Sequence, residues 1–537
     1  MEVFTVKDLT FTYPGRNKPA LKEVSFSVQR GEMVTLCGRS GSGKTTLMKL
    51  LKPELAPHGL LEGGIHMSVD GPGGVGFVLQ DPDNQIVTDK VWHELAFGPE
   101  NLGWETRTIR IRVAEMASYF GIQNWFRKDV SQLSGGQKQL LNLAAVMVMK
   151  PEVLLLDEPT AQLDPIAAGE FIDTVRKLNR ETGITVVLTE HRLDSVLPVS
   201  DRMIVLEDGR LIVDDEPRRG VKKLAALGSE MFKSMPAPVQ AWTRIAEGEC
   251  PLDVREGRMW LEEILGGRRI VKKRIHGEAA AADGGEAALR LKNVWFRYSR
   301  SGEDVLRGLD CEVSSGSCFA IMGGNGSGKT TALKIMSGAV KPYRGKVDRG
   351  SLRVLMLPQD PQLVFASDTV REELAEMSDS EDEIAEIAGF MEIDSLLDAH
   401  PYDISGGEQQ RTALAKLLLA APDVILLDEP TKGMDSAFKE KLGGLFRVLK
   451  QEGRTIIMVS HDIEFCGRYA DRCAMFFDGS ITTSDAPGRF FAGNSFYTTE
   501  ANRMSAGFFE DAVTPEDLAA LVEQNLTAAD GEGSAGS

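Results

Sequence analysis

Two stretches of this chain repeat each other in register, and a duplication of that length fixes the architecture before any local pattern is read. Leu9-Thr10-Phe11-Thr12-Tyr13 matches Val294-Trp295-Phe296-Arg297-Tyr298, and each tyrosine stands 25 residues ahead of the first glycine of a glycine-rich loop, Gly38 or Gly323. Further on, Ser134 precedes Asp157 by 23 residues, as Ser405 precedes Asp428. A chain of 537 residues exceeds one ordinary core and suits two domains of roughly 200–250 residues. The repeat places the first domain at 1–220 and the second at 287–490, with a connector at 221–286 and a tail at 491–537.

Each loop lies between an apolar run and a helix-like stretch. Glu32-Met33-Val34-Thr35-Leu36-Cys37 leads into Gly38-Arg39-Ser40-Gly41-Ser42-Gly43-Lys44-Thr45-Thr46, and Phe319-Ala320-Ile321-Met322 leads into Gly323-Gly324-Asn325-Gly326-Ser327-Gly328-Lys329-Thr330-Thr331. Glycines let backbone N–H groups turn toward phosphate oxygens, and the helix start adds a favourable dipole. Lys44 and Lys329 then reach the β/γ-phosphates, and Thr45 and Thr330 offer hydroxyls to Mg²⁺.

Val153-Leu154-Leu155-Leu156-Asp157-Glu158 and Val424-Ile425-Leu426-Leu427-Asp428-Glu429 are apolar runs ending in two acids, the pattern of a buried parallel strand that opens on a ligand crevice. Asp157 and Asp428 are placed to hold Mg²⁺, and Glu158 and Glu429 to polarise an attacking water. The next strands lead to His191 and His461, 33 and 32 residues after those glutamates, as γ-phosphate contacts. Gln80 and Gln359 each follow a short apolar stretch and precede Asp-Pro, where a glutamine reaches the metal–water cluster. Leu133-Ser134-Gly135-Gly136-Gln137 and Ile404-Ser405-Gly406-Gly407-Glu408 each open a helix, which gives every half a second anion site.

Across nearly all of residues 1–490 these motifs resemble the ATP-binding-cassette family. The resemblance implies an α/β fold: two P-loop NTPase nucleotide-binding domains in tandem, each a RecA-like core with a helical subdomain, here at 81–133 and 360–404. It implies that the signature of one half caps the ATP of the other, so that Lys44 and Thr45 face Ser405 and Gly407 while Lys329 and Thr330 face Ser134 and Gly136. Tyr13 and Tyr298 would stack on adenine, and Asp164 and Asp435 would communicate across the interface. Both halves keep every chemically essential residue, so both are expected to hydrolyse ATP with Mg²⁺; Arg39 and Glu408 are the departures.

The run Gln80 to Gly103, with Trp92-His93-Glu94-Leu95-Ala96-Phe97-Gly98-Pro99-Glu100-Asn101, is similar to the glutamine-loop region of energy-coupling factor importers and cobalt-type ATPases, and Gln359 to Phe365 and Asp428 to Asp435 are similar to the second ATPase of that group. That resemblance implies two membrane partners, a transmembrane coupling protein and a small protein that binds a vitamin or metal ion, and a location at the cytoplasmic face of the membrane. A sugar-type importer ATPase, a ribosome-associated cassette factor and a DNA-repair cassette are the rivals. The first usually carries a degenerate second loop, the second a long basic arm, and the third zinc pairs or a long coiled coil.

Composition agrees with this range. A net charge of -18 gives no general attraction to nucleic acid, and no run of about 18 apolar residues spans a bilayer. Met1 to Thr10 alternates like a first strand rather than a signal peptide. Six scattered cysteines suit small core residues in a reducing compartment. In the connector, Leu224, Leu227, Met231, Phe232, Trp260, Leu261 and Ile264 have helical spacing, while Ala279 to Glu286 reads as a tether. In the tail, Thr514-Pro515-Glu516-Asp517 caps a short helix to Val522, and Ala528 to Ser537 is expected to be disordered.

Overall fold

A computed structural model describes residues 1–16, 18–69, 73–266, 268, 270–275 and 286–534, with side chains as far as Thr527. Most of the expected tether, 279–285, lies outside the described residues, as do the last three residues and the side chains of the tail end expected to be disordered. The chain forms two compact units, 1–240 with 435–437, and 241–434 with 438–537.

The first unit begins with β1 (Glu2–Thr12), β2 (Leu21–Gln29), β3 (Met33–Gly38), α1 (Lys44–Leu50), β4 (Leu60–Met67) and β5 (Val75–Val78). It continues through α2 (Val91–Asn101), α3 (Thr106–Tyr119), α4 (Gly135–Val148), β6 (Val153–Asp157), α5 (Pro165–Thr182), β7 (Thr185–Thr189), β8 (Arg202–Glu207), β9 (Arg210–Asp215) and α6 (Pro217–Leu227). Its main sheet runs β5-β6-β7-β3-β8-β9, parallel except for the β8–β9 hairpin. Strands β6 and β7 are buried along their whole length, as continuous apolar strands covered on both faces must be. A second, antiparallel sheet, β2-β1-β4, packs Phe4, Leu9 and Phe11 into the core shared with Leu36, Leu47 and Leu155.

Between the halves run α7 (Ala237–Ile245) and α8 (Val254–Leu265). The second unit repeats the plan with β10 (Ala287–Phe296), β11 (Leu306–Ser314), β12 (Cys318–Met322), α9 (Lys329–Ser337), β13 (Arg344–Asp348), β14 (Val354–Leu357), α10 (Val370–Ala375), α11 (Glu381–Met391) and α12 (Gly406–Leu419). Then follow β15 (Val424–Asp428), α13 (Ser436–Gln451), β16 (Thr455–Val459), α14 (Ile463–Tyr469), β17 (Arg472–Phe477), β18 (Ser480–Asp485), α15 (Pro487–Ala492), α16 (Glu500–Ser505) and α17 (Pro515–Ser534). Its sheets are β14-β15-β16-β12-β17-β18 and β11-β10-β13. In both halves the helices α2–α3 and α10–α11 fall inside the intervals read as a helical subdomain.

The connector divides between the units. Helix α6 packs on the β8–β9 hairpin so closely that a Cβ on Gly220 would lie 2.6 Å from the Met203 methyl. Beyond residue 240 the chain belongs to the second unit, where α8 lies against α16 with Gly257 facing Met504. The tail helix α17 starts where the sequence puts its cap: Thr514 Oγ1 accepts from Asp517 N at 3.1 Å. Asn525 on α17 accepts from the Val271 and Lys272 N–H groups at 2.8 and 3.0 Å, and donates to Lys272 O at 2.9 Å. All six cysteines are buried, which suits their use as core residues.

Candidate functional site: a phosphate loop, an acidic strand end and a histidine in each unit

In an open parallel sheet, ligands bind at the carboxyl ends of strands where the strand order reverses. Here β3 is followed by β5 at the sheet edge, and β6 and β7 return to it, so the ends of β3, β6 and β7 bring Gly38–Thr46, Asp157–Glu158 and His191 together. The ends of β12, β15 and β16 do the same for Gly323–Thr331, Asp428–Glu429 and His461.

Each loop closes on its own lysine. Lys44 Nζ donates to Gly38 O and Arg39 O at 2.7 and 3.0 Å, and Lys329 Nζ to Gly323 O and Gly324 O at 2.9 and 2.8 Å. Burial pushes the Lys44 ammonium below its ordinary value. Gly43 has φ 99°, and a Cβ there would lie 2.6 Å from Ala20 O, so only glycine fits at the helix entry; Gly328 repeats this at φ 110°. Ser40 and Gly41, like Asn325 and Gly326, form the loop tips. Tyr13 OH lies 3.0 Å from Thr46 Oγ1 and Tyr298 OH 2.9 Å from Thr331 Oγ1, tying each tyrosine to the first turn of the helix after its loop.

Thr45 Oγ1 donates to Asp157 Oδ1 at 3.3 Å, and Thr189 Oγ1 donates to the same oxygen at 2.8 Å. Burial raises both Asp157 and Asp428 above the usual carboxylate range. The Thr330 side chain beside Asp428 works against that rise, and Asp428 Oδ2 is buried without a hydrogen-bond partner. An unpaired carboxylate oxygen beside a threonine hydroxyl suits a hydrated divalent cation, since a buried acceptor left unmatched is otherwise costly.

Glu158 and Glu429 leave their strands with φ of 45° and 55°, left-handed backbone that costs energy outside glycine and gathers at functional sites. In the first unit Glu158 accepts from Gln80 Nε2 at 2.9 Å and lies 2.8 Å from His191 Nε2. Burial raises its pKa, but the adjacent His191 and, more weakly, Lys44 outweigh that and hold the carboxyl below its ordinary value. In the second unit His461 Nε2 is 3.5 Å from Glu429, the His461 N–H donates to Glu429 Oε2 at 3.1 Å, and burial pushes Glu429 up to about 7. Gln359, at the place equivalent to Gln80, is exposed.

The signature serines cap α4 and α12. Ser134 Oγ accepts from Gln137 N at 3.3 Å, and Gln137 Oε1 accepts from Ser134 N at 3.0 Å. Glu408 takes the same role for Ser405, and its carboxylate also accepts the Ser405 hydroxyl at 2.7 Å. Gly135, Gly136, Gly406 and Gly407 form the first turns of these helices; a Cβ on Gly407 would lie 2.7 Å from Gly433 O. Asp164 caps α5, accepting from Ile166 N and Ala167 N, and Asp435 is buried immediately before α13.

Residues 21–161 and 306–432 match the family model described as ABC transporter. A Bacillus anthracis protein named as an ABC transporter ATP-binding protein is 41% identical over 544 residues, covering 96% of this chain and 97% of that one. The chain belongs to the ABC transporter ATP-binding family. It is an ABC ATPase with two tandem nucleotide-binding domains of the P-loop fold. YkoD of Bacillus subtilis, named as an HMP/thiamine import ATP-binding protein, is 31% identical over 522 residues, covering 91% of this chain and 93% of that one. Among solved structures, the RNase-L inhibitor matches with a TM-score of 0.57 at 21% identity, over 91% of this ABC ATPase and 93% of that chain, a likeness of fold alone.

Sequence reasoning missed three buried acids near the site. Glu190, between Thr189 and His191, accepts from Thr160 N at 2.9 Å, and burial pushes it up to about 8. Glu94 accepts from Val87 N and Thr88 N at 3.1 and 2.8 Å, and Glu373 accepts from Ala366 N and Ser367 N. Each of the latter two fixes the segment that follows a site glutamine. The available signal is an acid at the fourth residue of a helix that opens on valine, Val91 to Glu94 and Val370 to Glu373.

Proposed function

We propose that this ATPase is the energy-coupling subunit of an importer of the energy-coupling-factor type, working at the cytoplasmic face of the membrane on a transmembrane coupling protein and a small membrane protein that binds a vitamin or metal ion. The observation that carries the reading is likeness along 91% of the chain to a protein named for HMP/thiamine import. The Gln80–Gly103 run supports it independently. The ribosome-recycling structures that match share a fold at 21–22% identity and lend no support to a ribosomal role.

In this reading Lys44 and Lys329 leave their loop carbonyls for the β/γ-phosphates, while Tyr13 and Tyr298 support the adenine. Thr45 and Asp157 with Gln80, and Thr330 and Asp428 with Gln359, would hold Mg²⁺, which when bound neutralises charge on the phosphates. Glu158 and Glu429 accept a hydrogen bond from the attacking water and orient it, and His191 and His461 meet the γ-phosphate. Ser134 and Gly136 complete the ATP held by Lys329, and Ser405 and Gly407 that held by Lys44, with Asp164 and Asp435 passing the state of one site to the other. Closing such a pair from 1:99 to 99:1 takes about 5.5 kcal/mol of differential affinity, which ATP binding supplies and hydrolysis withdraws.

Purification of the tagged chain from membranes in mild detergent tests the assignment. Two integral membrane proteins are expected to accompany it; ribosomes without any integral membrane protein would overturn the reading.

A further inference from the structure

The glutamate at each acidic strand end has the same unfavourable backbone in both units, with φ 45° at Glu158 and 55° at Glu429. Such a conformation persists only where the surrounding groups fix it. One hold is common to the two units: the glutamate N–H donates to the end of the adjoining strand, Glu158 N to Thr189 O at 3.1 Å and Glu429 N to Val459 O at 2.9 Å. Beyond that bond the units differ.

In the first unit the end of β7 supplies two side-chain holds. Thr189 Oγ1 also accepts from Glu158 N, at 2.9 Å, and Glu190 Oε1 accepts from Thr160 N, two residues beyond the glutamate, at 2.9 Å. Thr189, Glu190 and Thr160 are all buried. The turn that follows closes on itself, with Ala161 N donating to Glu158 O at 3.2 Å and Leu163 N to Thr160 O at 2.9 Å. Fixed in this way from outside, the turn presents the Glu158 carboxylate to the side chains of Gln80 and His191.

In the second unit Val459 and Ser460 stand at the places of Thr189 and Glu190, as the pairing of Asp428 with Val459 and of Asp157 with Thr189 shows. Valine has no hydroxyl, and the Ser460 hydroxyl is engaged in its own turn, where it accepts from Asp462 N at 3.0 Å. There the glutamate braces itself: Glu429 Oε2 accepts from the His461 N–H at 3.1 Å. A buried acid outside the turn thus does in one unit what the water-orienting carboxylate does for itself in the other.

We infer that Glu190 is a positioning residue of the first ATP site. By holding Thr160 N it fixes the turn that carries Glu158, and so keeps that carboxylate directed at the attacking water. It acts on the hydrolytic step and not on the binding of ATP. The inference rests on the role given above to Glu158, and not on transport.

Steady-state ATP hydrolysis by the full chain tests it. Glu190→Ser installs the residue that the second unit carries at this place and is too short to reach Thr160 N; Glu190→Gln keeps an acceptor oxygen at full reach. The serine variant is expected to lower kcat by about twofold, the share of one site in two, or by more if the sites fire together, with the KM for ATP unchanged, as for an interaction that matters in the transition state alone. The glutamine variant is expected to recover most of the lost turnover. Unchanged kcat in the serine variant, a loss carried by KM, or a glutamine variant no better than serine would overturn the inference. Glu158→Gln in the same assay separates the two claims: turnover unchanged there would overturn both, whereas turnover lost there and kept in Glu190→Ser would overturn the role of Glu190 alone.

Discussion

Glu190 shows how one side chain sets a pH dependence. Its folded pKa of about 8 lies above the ordinary 4.5, so between those values the folded protein holds a proton that the unfolded chain has released. Stability from this group is fully present below about pH 4.5 and is lost as pH rises through 8. Glu190→Gln keeps an acceptor for Thr160 N and removes the ionisation. The wild-type thermal midpoint should therefore fall between pH 5 and 8, and the variant should fall less, the difference at pH 8 being on the order of ten degrees, given that a pKa unit corresponds to about 1.4 kcal/mol. Parallel midpoint–pH curves for the two proteins would rule out the assignment. The loops, the acidic pairs and the histidines were legible because phosphate chemistry demands particular residue types at particular spacings. Glu190 was not legible, because a glutamate before a site histidine gives no sign that it is buried, and neither was the left-handed backbone of Glu158 and Glu429.

At the level of elements, the halves hold equivalent segments by different means. In the second unit Lys416 on α12 pairs with buried Glu373 on α10, bonds Glu376 at 2.7 Å and donates to Val364 O at 2.9 Å, which joins the segment after Gln359 to the helix begun by Ser405. In the first unit Ala145 stands where Lys416 does, and Glu94 is served by Thr88 Oγ1 at 2.9 Å. Lys416→Met leaves Glu373 buried and uncompensated, so it should destabilise the second unit by about 3–5 kcal/mol, and adding Glu373→Gln should restore a large part. Chemical denaturation of the single and double variants measures this; a double variant no better than the single would refute the pairing. The helical intervals could be read from periodicity and resemblance, but the clamp could not, since its members are 43 residues apart and neither belongs to a motif.

For the molecule as a whole, the connector beyond residue 240 and the tail are part of the second unit's structure. Asn525 meets two N–H groups and the Lys272 carbonyl more than 250 residues earlier in the chain. Asn525→Ala removes those bonds, and at about 1 kcal/mol for each net hydrogen bond lost it should lower the second unit's unfolding transition and speed trypsin cleavage at Lys272 and Lys273, with the first unit's transition unmoved. Unchanged cleavage would mean that the contact is dispensable. The repeat located the halves, but it ends where the copies stop resembling each other, so it gave no account of α8, α16 and α17.

That arrangement also orders events during synthesis. The first unit takes residues 1–240 and only three from later in the chain, so nearly all of it has emerged from the ribosome before the chain is half made. The second unit packs 241–265 against a segment reaching Asn525, and it can close only after Asn525 has emerged. A nascent chain interrupted shortly before Asn525 would carry a folded first unit and an open second one, so closure of the second unit reports that translation has passed that residue.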